Sequence, residues 1–232
     1  NNGAVPAYLI ALVVSLVAGL PIGVLSAVTR NSRSDLLIRS SALLGLAIPN
    51  FFLALILMYL VLQVYFRTGV MVFPVSGMTS SGFEQFSFWQ KVVDVAWHAV
   101  LPMVVLTTSD IAGFSRIMRG QMLEALSQDY VRTARAKGLP ERVVVYKHAL
   151  RNAIIPIVAN IGGILPTLIS GAGLVEVVTA WPGITPLLLD AISQQDLYVV
   201  AGFLTMGLVL LMIGNLLSDL LLAWVDPRIR YE

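Results

Sequence analysis

Five strongly apolar stretches of the chain contain no Asp, Glu, Lys or Arg, and these stretches limit the fold more than any other feature. They are residues 1–29, 40–66, 95–109, 152–175 and 197–218. A helix needs roughly 20 mostly apolar residues to cross a hydrocarbon core about 30 Å thick. Four of the stretches have that length, and the third reaches it if the helix continues to about residue 117. We therefore predict an all-α membrane protein with five transmembrane helices, near 6–28, 41–66, 97–117, 153–174 and 198–224.

Composition excludes several classes of protein. Hydrophobic residues make up 57% of the 232 residues and charged residues only 12%, against roughly 25% charged in soluble domains. This is too little charge to cover a soluble enzyme or a DNA-binding domain, and a net charge of +2 gives no reason to expect a nucleic-acid partner. The chain has no Cys, which excludes disulfides and thiolate metal sites. The apolar runs are continuous rather than alternating, which argues against a β-barrel.

Basic residues indicate how the spans are oriented. All but two of the 15 Lys and Arg residues lie in the first and third connections or after the last span, and the exceptions are Arg67 and Lys91. The positive-inside rule places this basic side, and with it the C-terminus, in the cytoplasm. The connections at 67–96 and 175–197 then face outward, as does residue 1. An outward N-terminus leads us to expect at least one further span upstream, and six spans in the intact protein.

Polar side chains within the spans are candidates for a transport pathway. Ionisable groups at membrane depth are unfavourable in lipid, so they usually face protein or water. Asp110 either lines such a pathway or is a structural partner of Arg116 or of a neighbouring helix. The candidate pathway residues are Thr107, Thr108, Asp110, Asn160, Thr167 and Ser170.

No set of residues suggests catalysis or cofactor binding. His98 and His148 are isolated, so metal-ligand spacing is absent, and no Ser–His or paired-Asp arrangement points to an intramembrane protease. The phosphate-binding pattern G-x-x-x-x-G-K-[ST] is absent as well. We therefore predict that this chain is not an enzyme and holds no metal or cofactor of its own.

The connection at about 118–151 is more patterned than a membrane linker requires. Asp129 is a good N-cap for a helix over about 130–137, and Gly138 suits the position after a helix end. Pro140 then suits the start of a second helix. A short helix with a small-residue face and a basic rim suggests a docking element for a partner protein. The alternative is an amphipathic helix held against anionic lipid headgroups.

Several segments carry a resemblance to a known family. They are DYVRTARAKGL at 129–139, KHALRNAIIP at 147–156, VE at 175–176, AWPGI at 180–184 and DPRIRY at 226–231. These segments resemble the permease subunits of the dipeptide/oligopeptide/nickel family of ABC importers, in particular the B-type subunit. The resemblance covers essentially the whole chain.

Importer permeases carry a cytoplasmic loop of pattern E-A-A-x3-G-x9-I-x-L-P, which this chain matches in part. Ala134, Gly138 and Leu150 agree with the pattern. Arg132 and Thr133 stand in place of the Glu and the first Ala, as is usual in the peptide subfamily. The remaining departures from the pattern are His148 and Arg151.

The resemblance implies a type I ABC importer permease fold with a cytoplasmic coupling helix, and a single permease domain over residues 1–232 in a bacterial or archaeal inner membrane. It implies a second homologous permease subunit, two ATPase subunits that hold ATP and Mg, and an extracytoplasmic binding protein as partners, besides membrane lipid. Peptides are the expected cargo, while relatives also carry glutathione, nickel chelates or oligosaccharides. An ATP-independent secondary transporter or channel is the alternative function. The resemblance assigns coupling to the ATPase to Asp129, Tyr130, Arg132, Thr133, Ala134, Arg135, Lys137, Gly138 and Leu139.

Overall fold

Long apolar helices dominate the structure, a computed structural model that describes residues 4–164, 166 and 173–225. These residues form helices and turns, with no β-strand among them. Within this part of the chain, four helices are long and apolar enough to cross a membrane. They agree with the predicted all-α membrane fold. The four candidate spans are Ala7–Val28, Asn50–Thr68, Phe88–Ser127 and Leu197–Ala223.

The helix boundaries place short elements between the long helices. A π-helical turn covers Val144–Ala149, and 3-10 turns cover Phe83–Gln85 and Ile161–Gly163. The α-helices are α1 (Ala4–Val28), α2 (Arg33–Ala47), α3 (Asn50–Thr68), α4 (Phe88–Ser127), α5 (Asp129–Ala136), α6 (Glu141–Val143), α7 (Leu150–Ala153), α8 (Ile155–Ala159), α9 (Leu174–Val178), α10 (Ile184–Ser193) and α11 (Leu197–Val225).

The prediction of one helix over 41–66 is wrong, because the chain forms two helices there. α2 ends at Ala47 and α3 begins at Asn50. Pro49 lies between them with φ −60° and ψ 137°. A proline has no N–H for the helical hydrogen bond, and its ring disfavours a helical conformation in the residue before it. The membrane-length helix in this region is therefore α3 alone, with 19 residues.

Two further revisions concern the length of the third predicted span and the continuity of the fourth. α4 has 40 residues and extends the helix predicted over 97–117 in both directions, because the charge-free run marks only the apolar part of a longer helix. The span predicted over 153–174 is not one continuous helix in its described part. α7, α8 and a 3-10 turn follow one another there. Pro156 starts α8 as a new helix, and paired glycines at 162–163 favour the turn that follows.

The chain divides into two compact units, each with its own buried core. The first comprises residues 1–14, 47–109 and 167–207, and the second comprises 15–46, 110–166 and 208–232. The first unit buries Ala54, Leu101, Val105 and Val175 together. The second unit buries a larger cluster, here called the loop core: Val24, Ala27, Met118, Met122, Ala125, Val131, Ala134, Val144, Val145, Ala149, Ala153 and Ile157.

Close contact between α1 and α4 shapes the second unit. A Cβ atom on Gly23 would lie 2.5 Å from the Ser115 carbonyl oxygen and 2.7 Å from the Met118 Cβ. Only glycine allows the two helices to approach this closely, which is the usual device for packing helices in membranes. The contact holds the part of α4 that leads into α5.

Candidate functional site: an amphipathic helix and its supports

The candidate coupling helix is α5, which starts directly after α4. Gln128 separates the two helices with extended backbone angles of φ −72° and ψ 152°. The helix predicted over about 130–137 is therefore present, shifted by one residue. Asp129 is its first residue rather than its N-cap, and the Asp129 Oδ1 accepts a 3.1 Å hydrogen bond from Nη1 of Arg132.

One side of α5 is buried in the protein's own core. Val131 is fully buried and Ala134 is 5% exposed. Both belong to the loop core, with Met122 and Val144, because residues three apart lie on the same side of a helix. Ala134 matches the family pattern, yet the structure places it where it fixes α5 to the rest of the chain.

The opposite side of α5 is exposed and mostly polar. With 3.6 residues per turn, this side is centred about half a turn away from Val131 and Ala134. Tyr130 and Lys137 are exposed beside it. Sequence reasoning missed Ala136, although its spacing from Thr133 assigns it to the same side. We call this set the exposed face of α5: Asp129, Arg132, Thr133 and Ala136.

A turn stabilised by an ion pair follows α5, and we call it the corner. Gly138 has φ 74°, in the left-handed region, and its N–H donates a 2.9 Å hydrogen bond to the Arg135 carbonyl. Arg135 donates to both carboxylate oxygens of Glu141, from Nη2 to Oε1 at 2.6 Å and from Nε to Oε2 at 3.2 Å. This hydrogen bonding lowers the pKa of Glu141 and raises the pKa of Arg135. Arg135 and Gly138 therefore set the angle between α5 and α6, and Leu139 is exposed at the corner between them.

A buried carboxylate supports α4 two turns before α5. Asp35 has no exposed side-chain area, and it accepts hydrogen bonds from Arg119, from the Ser26 hydroxyl at 2.6 Å and from the Asn31 N–H at 3.0 Å. Arg39 lies 3.4 Å from the same carboxylate. The hydrogen bonds from Arg119 and Ser26 hold the pKa of Asp35 well below its usual range. Sequence reasoning missed this cluster, although Asp35 is the only acidic residue in the basic first connection.

The candidate pathway residues do not form one hydrogen-bonded cluster in the described structure. The hydroxyls of Thr107 and Thr108 donate to carbonyls of their own helix, at 2.8 Å to Met103 and 2.7 Å to Val104. The Asn160 amide donates to a carbonyl four residues earlier. Thr167 and Ser170 lie outside the described residues.

Asp110 differs from the other pathway candidates. Its side chain is exposed on α4, and no hydrogen bond or ion pair engages it within residues 4–164, 166 and 173–225. The alternative of a structural ion pair with Arg116 is therefore not realised in this part of the chain. A carboxylate at membrane depth needs water or a polar partner, and the described part of the chain supplies no such partner for Asp110.

A second buried carboxylate lies in the first unit. Glu176 on α9 is 2% exposed. It accepts a 2.7 Å hydrogen bond from the Tyr8 hydroxyl and a 2.9 Å bond from the Thr185 N–H. A Cβ atom on Gly183 would overlap the Glu176 carboxylate. Glu176 thus connects α1, α9 and the first turn of α10, a role that its place in a sequence motif did not indicate.

The described residues contain no group of three or more His, Cys, Asp or Glu side chains that could hold a metal ion. The candidate site is an exposed polar surface on a rigid support. Its components are the exposed face of α5, the corner at Gly138 and the ion pair of the buried Asp35 with Arg119.

Sequence comparisons extend the resemblance to curated relatives. The oligopeptide transport system permease protein AppB of Bacillus subtilis is 40% identical over 226 residues, covering 96% of this chain and 67% of the relative. The dipeptide transport system permease protein DppB of Escherichia coli K12 is 38% identical, with coverage of 96% and 69%. The oligopeptide transport system permease protein OppB of Mycobacterium tuberculosis H37Rv is 37% identical, with coverage of 92% and 66%. The chain spans about two thirds of the length of these relatives.

A family comparison covers nearly the whole chain. Residues 19–231 match the family of binding-protein-dependent transport system inner membrane components. This range includes α5, the corner that follows it and both buried carboxylates. The four membrane-length helices of the described structure fit a membrane-embedded component. The chain therefore belongs to the family of binding-protein-dependent transport system inner membrane components.

Proposed function

We propose that this chain is the permease subunit of an ATP-driven importer of peptides, and that α5 couples it to a separate ATPase. The observation that carries the coupling role is the division of α5 into two sides. Val131 and Ala134 fix one side in the loop core, while the other side is exposed. A helix anchored in this way moves together with its support, so a force on its exposed face is transmitted to α4.

The coupling residues take two roles in this proposal. Asp129, Tyr130, Arg132, Thr133 and Lys137 contact the ATPase, because their side chains are exposed. Ala134, Gly138 and Arg135 keep α5 and its corner rigid, through burial, the left-handed turn and the bridge to Glu141, respectively. Leu139, which is exposed at the corner, is assigned to the contact group.

The proposed assembly contains a second homologous permease, two ATPase subunits and an extracytoplasmic binding protein. The ATPase subunits bind ATP and Mg and hydrolyse the ATP, so this chain is a transport subunit and not an enzyme. Residues 1–232 form one multi-pass permease domain in a bacterial or archaeal inner membrane, with the C-terminus in the cytoplasm. Support for peptides as the cargo comes from relatives that are named for dipeptide and oligopeptide transport.

The translocation pathway is proposed to include Asp110, whose exposed carboxylate has no partner in the described part of the chain. Movement of α5 and α4 would then alternate access to this pathway by rocking helix bundles against one another. Thr107, Thr108, Asn160, Thr167 and Ser170 are the further pathway candidates.

A cysteine crosslink tests the coupling role. The chain has no native Cys, so Thr133→Cys on the exposed face introduces a unique thiol. This subunit is expressed in membranes with the ATPase carrying one Cys in its docking groove. We expect a disulfide crosslink whose yield changes on addition of ATP. Asn152→Cys is the matched control, because Asn152 is exposed at the end of the same connection, in α7, and lies outside α5.

The alternative functions predict different results. If the complex assembles but Thr133→Cys gives no crosslink, the result would support the alternative in which α5 lies against lipid headgroups at the membrane surface. Uptake of substrate by the chain without any ATPase would establish an ATP-independent transporter. Equal crosslinking from Asn152→Cys would show that the contact is not specific to α5.

A further inference from the structure

We propose that the second unit carries a binding site for one anionic phospholipid, in a groove between α1 and the segment 141–154. The groove has a volume of about 420 Å³. We call it the lipid groove. Its walls include Leu20, Val24, Leu25, Val28, Leu150 and Ile154.

The walls of the lipid groove have the chemistry of an acyl-chain site. Leu25 and Val28 are about half exposed, although both lie at the end of a membrane-length helix. Tyr146, which is 62% exposed, also lines the groove. Tyrosine is enriched at the level of lipid headgroups, where its ring lies in the apolar zone and its hydroxyl reaches water. The groove therefore runs from apolar depth towards the interface.

Basic side chains mark the interfacial end of the groove. Arg142 lines the groove itself. An adjoining groove of about 250 Å³ shares Val28, Glu141 and Val145 with it and is lined by Arg30. Arg142 thus lines the lipid groove, and Arg30 lines the more polar groove that adjoins it.

Charge pairing leaves these two arginines available. Both oxygens of Glu141, the acidic residue of this region, accept hydrogen bonds from Arg135. Within the described residues, neither Arg30 nor Arg142 has a carboxylate within ion-pair distance. Guanidinium groups bind phosphate oxygens through paired N–H donors. Basic pockets of this kind beside membrane helices are typical of sites for anionic lipid headgroups.

The charges distinguish a phospholipid from other occupants. An apolar helix of a partner subunit would cover the leucine and valine walls but would leave both guanidinium groups unpaired. A phosphatidylcholine molecule would fill the walls, but its own ammonium group would compete for the phosphate. An anionic phospholipid such as phosphatidylglycerol satisfies the walls and the net positive charge together. This site does not depend on the proposed transport function.

Lipid titration of the purified protein tests the site. The chain is purified from membranes in detergent with the chains that copurify with it, and native mass spectrometry counts bound phosphatidylglycerol as its concentration rises. Phosphatidylcholine with the same acyl chains is the competing lipid. We expect phosphatidylglycerol to bind preferentially, and Arg142→Gln and Arg30→Gln each to weaken that binding about fivefold. Leu25→Trp, which fills the groove without changing its charge, should abolish the preference.

Matched variants decide the outcome. Lys147→Gln removes a positive charge from an exposed residue of the same segment that does not line the groove, and it should leave binding unchanged. Equal weakening by Lys147→Gln would reduce the effect to general surface charge and overturn the proposal. Undiminished binding in Arg142→Gln, or equal binding of phosphatidylcholine, would overturn it as well. A Leu25→Cys variant that crosslinks to a copurifying chain would show a protein interface in place of a lipid site.

Discussion

Arg119 and Asp35 lie 84 positions apart in the chain, yet they form a two-point ion pair. Nε of Arg119 is 2.9 Å from Oδ1 of Asp35, and Nη2 is 3.1 Å from Oδ2. Asp35 is fully buried, whereas the Arg119 side chain keeps 21% of its surface exposed. The pair ties α2 to α4 about two turns before α4 ends. It therefore fixes the part of α4 from which α5 extends.

Removing the negative charge of this pair should destabilise the second unit. Asp35→Asn leaves the Arg119 guanidinium without its carboxylate, next to Arg39. Breaking a fully buried pair costs about 3–5 kcal/mol, and partial exposure of Arg119 lowers our expectation to about 2–3 kcal/mol. Thermal unfolding of the purified protein measures the change. Arg33→Gln is the control: Arg33 is exposed, and the free energy of unfolding should change by less than about 0.5 kcal/mol.

The stabilisation from Asp35 should depend on pH in a defined direction. The hydrogen bonds from Arg119 and Ser26 hold the pKa of Asp35 well below the ordinary value of 3.8. The folded state therefore keeps this carboxylate ionised at acidities where the unfolded chain takes up a proton. The contribution is complete above the unfolded pKa and is lost as the pH falls towards the folded pKa. The difference in unfolding temperature between the wild type and Asp35→Asn should be constant near neutral pH and shrink below about pH 4. A difference that grows on acidification would contradict this assignment.

Local signals in the sequence were sufficient for the corner after α5. Gly138 was predicted to follow the helix end because glycine accepts a left-handed conformation, and it has φ 74°. The apolar runs likewise located the four membrane-length helices of the described structure, whereas the run over 152–175 forms no single long helix in its described part. In each case the signal depends on residues that are neighbours in the chain. The conformational preference of glycine and the hydropathy of neighbouring residues are therefore enough to predict these features.

Contacts between distant residues were not predictable in the same way. The pattern around Ala134 does not show that this residue belongs to the same buried cluster as Val144, because the side that a short helix buries depends on what lies beside it. The partner of Asp35 is likewise set by the fold, since several arginines were available to it. The break at Pro49 was missed because the charge-free run continues through it, although proline is a local signal against a continuous helix.

Burial of Ala134 predicts a contrast between neighbouring positions on α5. Ala134→Glu places a carboxylate in the loop core without a partner, and we expect it to destabilise the protein by at least about 3 kcal/mol. Thr133→Glu changes the exposed face alone and should leave the protein folded while lowering transport. Yield of assembled protein and uptake of peptide measure the two effects separately. A well-assembled Ala134→Glu variant would show that α5 does not depend on this core contact.

Conformation rather than space constrains Gly138. A Cβ atom at Gly138 would meet no other atom within 4 Å, but a left-handed backbone costs an alanine about 1–2 kcal/mol. Gly138→Ala should therefore weaken the corner and lower transport, whereas Gly138→Asn should recover part of the loss, because asparagine tolerates this conformation. Gly120→Ala on α4 is the control, since a Cβ atom is also unhindered there and alanine favours a helix. Uptake assays and unfolding temperatures of the three variants provide the comparison.

Glu176 and Gly183 should show strong coupling in a double-mutant cycle. Gly183→Ala inserts a Cβ atom into the space of the Glu176 carboxylate, and it should displace that carboxylate from its bonds to Tyr8 and Thr185. We expect this variant to lose about 2–3 kcal/mol, because overpacking and broken hydrogen bonds to a charged group act together.

Glu176→Ala alone also destabilises, since the Thr185 N–H loses its acceptor, but it makes room for the new Cβ atom. The double variant should therefore be more stable than the sum of the two single effects predicts, by about 1–2 kcal/mol. Unfolding temperatures of the four proteins measure this coupling energy. Additive losses would mean that Gly183 does not border the Glu176 carboxylate, and that the first turn of α10 is held by other contacts.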